Sequence, residues 1–268
     1  MTNSFESAQN VFIDSLDGDK YINLSSSLVA YNRLLHKMEK SKETLLLVGE
    51  KGTGKSMLLN RLKDDLDDAR EIYYFFTPPN TEKDFFYQLF KILTRQALPK
   101  NASVNFSALI EFCNTLDENR EINILLDCIE AYNIELIEKI EIIAKTGAIQ
   151  FIFSLSDEKN ISTDQYFKSR IWDVIELENI CINELSMYIE KKLLYDNLLA
   201  ISNSIGKKQI RLIHSMTKGN FLATNLLMFT IFEICEYYDK VDASKLDGKY
   251  LSKKIIEMAG LKLGYLNV

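Results

Sequence analysis

Short apolar runs and helical spacings alternate along the first two-thirds of the chain. Thr44–Val48 (TLLLV) reads as a strand, and Lys55–Leu66 follows with Met57, Leu58, Leu62 and Leu66 at helical spacing. Glu71–Phe76 (EIYYFF) is the next strand. Asn80 and Thr81 open a helix to Leu93, with Glu82 and Asp84 in its first turn, where the helix dipole favours acidic groups. Ala108–Leu116 reads as a helix. Ile122–Leu126 is a third strand, and its run, apolar but for Asn123, predicts burial on both faces. Ile134–Ala144 is a helix, Ala148–Phe153 a fourth strand beside the third, and Ile171–Leu177 (IWDVIEL) a flanking fifth. Strands alternating with helices predict an α/β fold, a five-stranded parallel sheet sandwiched by helices.

The pattern changes after Leu177. Asn183–Leu194, Lys207–Met216, Ala223–Tyr238 and Ser252–Met258 are all helical in spacing, and no strand pattern falls among them. Three regions are expected: an N-terminal segment and helix over 1–40, a nucleotide-binding core over 41–179, and a small all-helical lid over 180–268. No internal repeat of fixed period is evident. With only three prolines (Pro78, Pro79, Pro99) and no Gly/Ser-rich stretch, short connections are expected.

Composition excludes several functions. Net charge is −6, which gives no general attraction to nucleic acid. Residues 181–268 are slightly basic and residues 1–180 acidic, a mild asymmetry that reads first as solvated faces. Cys113, Cys128, Cys181 and Cys235 are widely spaced, and His36 and His214 are isolated, so neither a zinc site nor a disulfide framework is expected. MTNSFESAQN lacks the basic start and apolar run of a signal peptide. The most apolar stretch, Phe221–Cys235, is too short for a membrane span and carries Asn225, Thr230 and Glu233. A cytoplasmic protein is expected, peripheral at the inner membrane only through a partner.

The chemistry lies between the first strand and helix. Gly49-Glu-Lys-Gly-Thr-Gly-Lys-Ser56 fits the phosphate-loop pattern G-x-x-x-x-G-K-[ST]. Average residue frequencies put a chance match on the order of one in a hundred. The expected cradle is Gly49, Glu50, Lys51, Gly52, Thr53, Gly54, Lys55, Ser56 and Met57. The glycines let backbone wrap around phosphate oxygens, and backbone N–H groups at the helix start face the anion. Lys55 supplies a charge to the β- and γ-phosphates of a nucleoside triphosphate, and the Ser56 hydroxyl is a ligand for Mg²⁺. The alternative is an ordinary glycine turn before a helix.

Asp127 ends the third strand in "ILLDCIEAY" and is the second candidate metal ligand, or else a strand-ending cap. A glutamate beside such an aspartate commonly orients the attacking water. Here the next residue is Cys128, which cannot. Glu130, two further on, is the substitute candidate; the alternative is a solvated loop residue. Ser154 and Ser156 end the fourth strand, where a hydroxyl can sense the γ-phosphate. Arg170, in Phe167-Lys-Ser-Arg-Ile171, is a candidate for reaching a neighbouring subunit's nucleotide; the alternative is a surface arginine. Lys168 lacks the planar fork and is the poorer choice.

These residues in this order resemble the AAA+ ATPases, specifically the general-secretion A (ExeA-like) branch and its pilus and transposition relatives. "YINLSSSLVAYNRLL" is similar to that branch's N-terminal helix, "VGEKGTGKS" to its P-loop, "YFKSRIWDVIELENICINELSMYIEKKL" to its arginine-finger segment, last strand and first lid helix, and "TKGNFLATNLL" to its lid motif. In the lid motif Gly219 and Asn220 fit, but the proline and arginine positions hold Phe221 and Leu222, so the sensor arginine is absent. The resemblance implies a P-loop core followed by a helical AAA+ lid, with ATP and Mg²⁺ as cofactors. It also implies a homo-oligomer at the cytoplasmic face of an inner-membrane secretion, pilus or DNA-uptake complex. Cys128 and Leu222 both strike hydrolysis and leave the cradle intact, so the expectation is a weak ATPase or nucleotide switch. Two alternatives stay open: a scaffold that responds to nucleotide without turnover, and a DNA-associated regulator of transposition or replication, for which Lys207, Lys208, Arg211 and Lys218 offer a small basic face. Nucleic acid is the less favoured partner.

Overall fold

The computed structural model describes residues 4–13, 21–40, 42–68, 70–96, 104–117, 120–156, 173–246 and 251–266. Their fold has two compact units, one from residues 30–49 and 55–176 and one from residues 1–29, 50–54 and 177–268.

The first unit holds the sheet. Its strands are β1 (Leu45–Gly49), β2 (Glu71–Phe75), β3 (Ile122–Leu126), β4 (Ile149–Ser156) and β5 (Asp173–Glu176). All pair in parallel, in the order β2-β3-β4-β1-β5. All five residues of β3 and the first seven of β4 are buried, as befits largely apolar strands in the middle of a parallel sheet, and the burial includes Asn123, Gln150 and Ser154. At the β5 edge only Ile175 is buried and Val174 is exposed. The fourth strand runs to Ser156, so the ladder carries Ser154 and Ser156 within β4.

The flanking helices are α2 (Ser25–Lys40, whose first turn belongs to the second unit), α3 (Lys55–Leu66), α4 (Glu82–Thr94), α5 (Phe106–Asn114) and α6 (Ile134–Ala144). Their starts are set by side chains that accept orphan backbone N–H groups. Thr81 accepts from Asp84 N, Asn105 from Ser107 N and Asn133 from Glu135 N. The Asn105 cap explains why α5 begins two residues before the apolar spacing suggests. Phe85, Phe86, Leu89 and Leu93 of α4, with Leu136, Ile137, Ile140 and Ile143 of α6, pack with β3 and β4 in one core. At the base of β2, Glu71 takes a forked bond from Arg120 (2.7 and 2.8 Å) and a third from Arg95 (2.5 Å). Arg120 also donates to Leu93 O at 2.7 Å, closing the end of α4.

The second unit is helical: α1 (Ser4–Val11), α7 (Ile182–Tyr195), α8 (Leu199–Ser204), α9 (Lys207–Thr217), α10 (Phe221–Val241) and α11 (Lys253–Lys262). Ala8 and Phe12 pack with Leu227, Met228, Ile231 and Phe232 of α10, so the N-terminal helix completes this core. Its short amphipathic pattern does not stand out in the sequence, and neither does the single turn and a half of α8.

Candidate nucleotide-binding site

β1 delivers the chain to the carboxyl edge of the sheet, where ligands of open parallel sheets bind. Gly49 ends β1 opposite Ser156 of β4, and α3 starts at Lys55. Between them the loop turns on two residues with positive φ, Gly52 at 86° and Gly54 at 92°, conformations that strain any side chain. Thr53 is buried and closes the turn, donating to Glu50 O from both its N (3.2 Å) and its Oγ1 (2.9 Å). Lys55 is only 6% exposed, and its Nζ donates to Gly49 O at 2.8 Å, so the amine folds back over the loop mouth. Ser56 and Met57 are half-buried in the first turn of α3.

Residues 50–54 are held from the helical side. Phe221 N donates to Gly52 O at 3.0 Å, and Leu222 N lies 3.4 Å from the same oxygen. Asn220 Nδ2 donates to Lys51 O (2.8 Å) and to Asn179 Oδ1 (3.1 Å), while Asn179 Nδ2 donates to Glu50 Oε2 (2.8 Å). Asn220 Oδ1 caps α10 through Ala223 N. The sequence marks Gly219 and Asn220 as lid-motif residues. Their work is to aim the start of α10 at the crown of the loop. Leu222, next along α10, has its Cβ 2.6 Å from where a Cβ on Gly52 would stand.

Asp127 follows β3 with its N still bonded to Phe75 O of β2 (3.1 Å). It is 1% exposed, and three donors hold its carboxylate. Tyr74 Oη donates to Oδ2 at 2.8 Å, Cys128 N to Oδ1 at 3.1 Å, and Ser154 Oγ to Oδ1. Cys128 sits at φ 53°, left-handed backbone that costs a non-glycine residue about 1 kcal/mol. That turn brings Cys128 N within 3.0 Å of Ser154 Oγ as well, closing a triangle of Asp127, Cys128 and Ser154. The Ser154 proton is thereby committed to Asp127. Burial, reinforced by the Asp127 charge, pushes the Tyr74 hydroxyl's pKa far above its ordinary range, so it stays a donor. Tyr132, also buried, has a hydroxyl without a hydrogen-bond partner among the described residues, and burial with the same aspartate raises its pKa.

A short 3₁₀ turn, Ile129–Ala131, follows Cys128. It carries Glu130, whose Oε2 accepts from Ser156 N at 3.4 Å. Because Ser156 is the register partner of Gly49, this carboxylate stands at the strand ends beside the start of the loop. Arg170 and Lys168 lie outside the described residues. The sequence did not single out Tyr74; the signal that could have found it is a polar ring near the carboxyl end of a strand, on the face opposite Phe75. Asn179 gives no signal of its own.

Residues 38–159, from the last turns of α2 past the end of β4, match the family model of an AAA domain. The fold is that of the AAA+ P-loop ATPases. Among solved structures, the chain is similar to Orc1 of Aeropyrum pernix in complex with DNA, at 13% identity and a TM-score of 0.61, over 95% of this chain and 69% of that one. It is also similar to RuvB of Thermotoga maritima, a Holliday junction branch migration motor, at 13% identity and a TM-score of 0.51, over 88% of this chain and 69% of that one. At such identity the likeness establishes the fold. No curated protein sequence matches the chain. Among the described residues no helix is long and apolar enough to cross a membrane.

The donor set fits Mg²⁺ held jointly with nucleotide phosphates. A carboxylate offers about four lone-pair sites. Among the described residues Asp127 takes up three, two on Oδ1 and one on Oδ2, which leaves one on Oδ2. Among the described residues no cluster of three or more His, Cys, Asp or Glu side chains could hold a metal alone. One carboxylate, one hydroxyl and phosphate oxygens are the set Mg²⁺ ordinarily takes in such sites.

Proposed function

We propose that this AAA+ protein binds ATP with Mg²⁺ and acts as a nucleotide switch with slow hydrolysis. The observation that carries the reading is the fixed Asp127 carboxylate, with one lone pair open among the described residues, whose donor Tyr74 has its hydroxyl 3.4 Å from Ser56 O in the first turn of α3. Lys55 would swing from Gly49 O to the β- and γ-phosphates. Ser56 and Asp127 would hold the metal, and Gly49 to Met57 would cradle the phosphates. A bound Mg²⁺ would offset charge on the phosphate oxygens. Glu130, placed at the end of β4, is the candidate to orient water in place of the glutamate missing at Cys128. Its 3.4 Å bond to Ser156 N is long and holds it loosely. Ser154 would act through Asp127, and Arg170 is proposed as the contact to a neighbouring subunit of a homo-oligomer.

The resemblance to general-secretion A proteins supports a role at the cytoplasmic face of an envelope assembly: type II secretion, a type IV pilus or DNA uptake. One observation favours a second reading, DNA-associated regulation. Lys207, Lys208 and Arg211 of α9, with Lys218 after it, are all exposed, and the similar Orc1 structure contains DNA. A salt-dependent shift of duplex DNA that charge reversal at Lys207 and Arg211 abolishes would select it.

The test is phosphate release beside binding of the fluorescent analogue mant-ATP. The native chain is expected to bind and to turn over well below the ordinary enzyme scale of about 10 per second. Lys55→Ala should lose both, and Cys128→Glu should release phosphate faster than native. Absence of mant-ATP binding by the native chain would overturn the nucleotide reading. Ordinary turnover that survives Glu130→Gln would overturn the assigned hydrolytic role.

A further inference from the structure

We infer that Tyr74 is a positioning residue that aims the open lone pair of Asp127 at the metal; this rests on the nucleotide reading above. In β2, Tyr73 and Phe75 turn into the core formed with α4, β3 and β4. Strand alternation sends Tyr74 to the other face, toward α3. There its hydroxyl lies 2.8 Å from Asp127 Oδ2 and 3.4 Å from Ser56 O. One proton serves both contacts, and the shorter, charge-assisted bond to the carboxylate takes it.

The position of that bond gives it a role beyond packing. Ser154 and Cys128 N both hold Oδ1, so rotation of the carboxylate about Cβ–Cγ is restrained from one side. Tyr74 restrains it from the other. It does so on Oδ2, the oxygen that keeps the unused lone pair. The same hydroxyl lies at the first turn of α3, which carries the second proposed metal ligand, Ser56. Tyr74 thus gauges the spacing between the two ligands without touching the metal. Its ring stands edge-on to Phe76, with centroids 5.9 Å apart, a contact that phenylalanine would retain. A Tyr74→Phe change therefore removes the hydroxyl and little else.

Groups that orient a metal ligand typically change metal affinity by 10–100-fold when lost. The experiment is mant-ATP binding to native and Tyr74→Phe chains, first in EDTA and then with rising Mg²⁺, with a thermal melt of each. Expected is equal affinity in EDTA, since the phosphate cradle is intact, and a Mg²⁺ half-saturation roughly 10–100-fold higher in the variant. Equal Mg²⁺ dependence would overturn the role of Tyr74 while leaving nucleotide binding standing. Affinity lost equally in EDTA and Mg²⁺ would also overturn it, because the residue would then be structural. A native chain that does not bind mant-ATP in either condition removes the nucleotide reading itself, and this inference with it. If Tyr74→Phe does not fold, Tyr74→His and Tyr74→Met are compared. Because neither reaches as far as the phenol oxygen, both must raise the Mg²⁺ half-saturation while binding mant-ATP in EDTA as the native chain does, and a native Mg²⁺ dependence in either refutes the inference.

Discussion

Replacing Asn220 with alanine tests the reading that this side chain joins the start of α10 to the phosphate-loop crown. The change deletes three hydrogen bonds: Oδ1 from Ala223 N at 3.2 Å, Nδ2 to Lys51 O at 2.8 Å and Nδ2 to Asn179 Oδ1 at 3.1 Å. Loss of an asparagine cap costs about 1 kcal/mol. The two amide bonds are neutral, and the one to Lys51 O is exposed, so they contribute about 1 kcal/mol together. The sum is about 2 kcal/mol, or a fall in Tm of about 4–8 °C for a chain of this size. Asn220→Asp separates the terms, because aspartate caps equally well but cannot donate to Lys51 O. It should retain about half of the lost stability. Differential scanning fluorimetry and urea melts measure both variants. An Asn220→Ala chain within about 0.5 kcal/mol of native would refute the reasoning, since only surface changes away from such features are that mild. So would an Asn220→Asp chain as unstable as the alanine variant.

Leu222→Arg places a guanidinium where the Leu222 Cβ overhangs Gly52. A partly exposed charge-assisted bond to a phosphate of about 1 kcal/mol should tighten mant-ATP binding about fivefold; unchanged or weaker binding would contradict the placement. Gly219→Ala should destabilise by about 3 kcal/mol or more, since its Cβ would stand 1.9 Å from Ile180 O at φ 79°. Gly147→Ala, with a similar φ of 73° but open space around it, should cost only about 1 kcal/mol, and equal melts for the two would refute the steric argument. Glu71 is held below its ordinary carboxyl value of 4.5, chiefly by the bond from Arg120 against the opposing effect of burial, with Arg95 adding to it. Its contribution to stability is complete above that ordinary value and is lost as pH falls through the lower folded value. Native melts should therefore decline more steeply below about pH 4.5 than those of Glu71→Gln, and parallel curves would count against the ion pair.

Much of the site was legible because its chemistry is local in sequence. A strand, a glycine turn and a helix start are contiguous, so Gly49 to Ser56 announce themselves and the structure places them at the sheet's carboxyl edge. Asp127 was legible for a similar reason: a five-residue run that is apolar except for Asn123 reads as a central strand, and the acidic residue that follows it must stand at that edge. The partners of these residues were not legible. Tyr74 meets Asp127 across 53 positions, Ser154 meets it across 27 and Asn179 meets Glu50 across 129. No periodicity encodes such pairings. They follow from strand order and from turns such as the left-handed step at Cys128, which read in sequence only as the loss of a glutamate.

By itself the sequence determined the alternation of strands and helices, the parallel sheet, the helical C-terminal region and the phosphate loop, because each follows from spacing within a few turns of chain. Tertiary structure alone decided that α1 packs with the C-terminal helices, and that the start of α10 meets the loop carbonyl of Gly52. It alone decided that, among the described residues, donors leave Asp127 a single lone pair, on the oxygen bonded to Tyr74. Hydrogen-bond satisfaction is the physical reason. A buried carboxylate, a helix end and a loop carbonyl each require partners. Which donors arrive depends on the register of β2, β3 and β4 and the geometry of their connections, quantities that exist only once the sheet has formed.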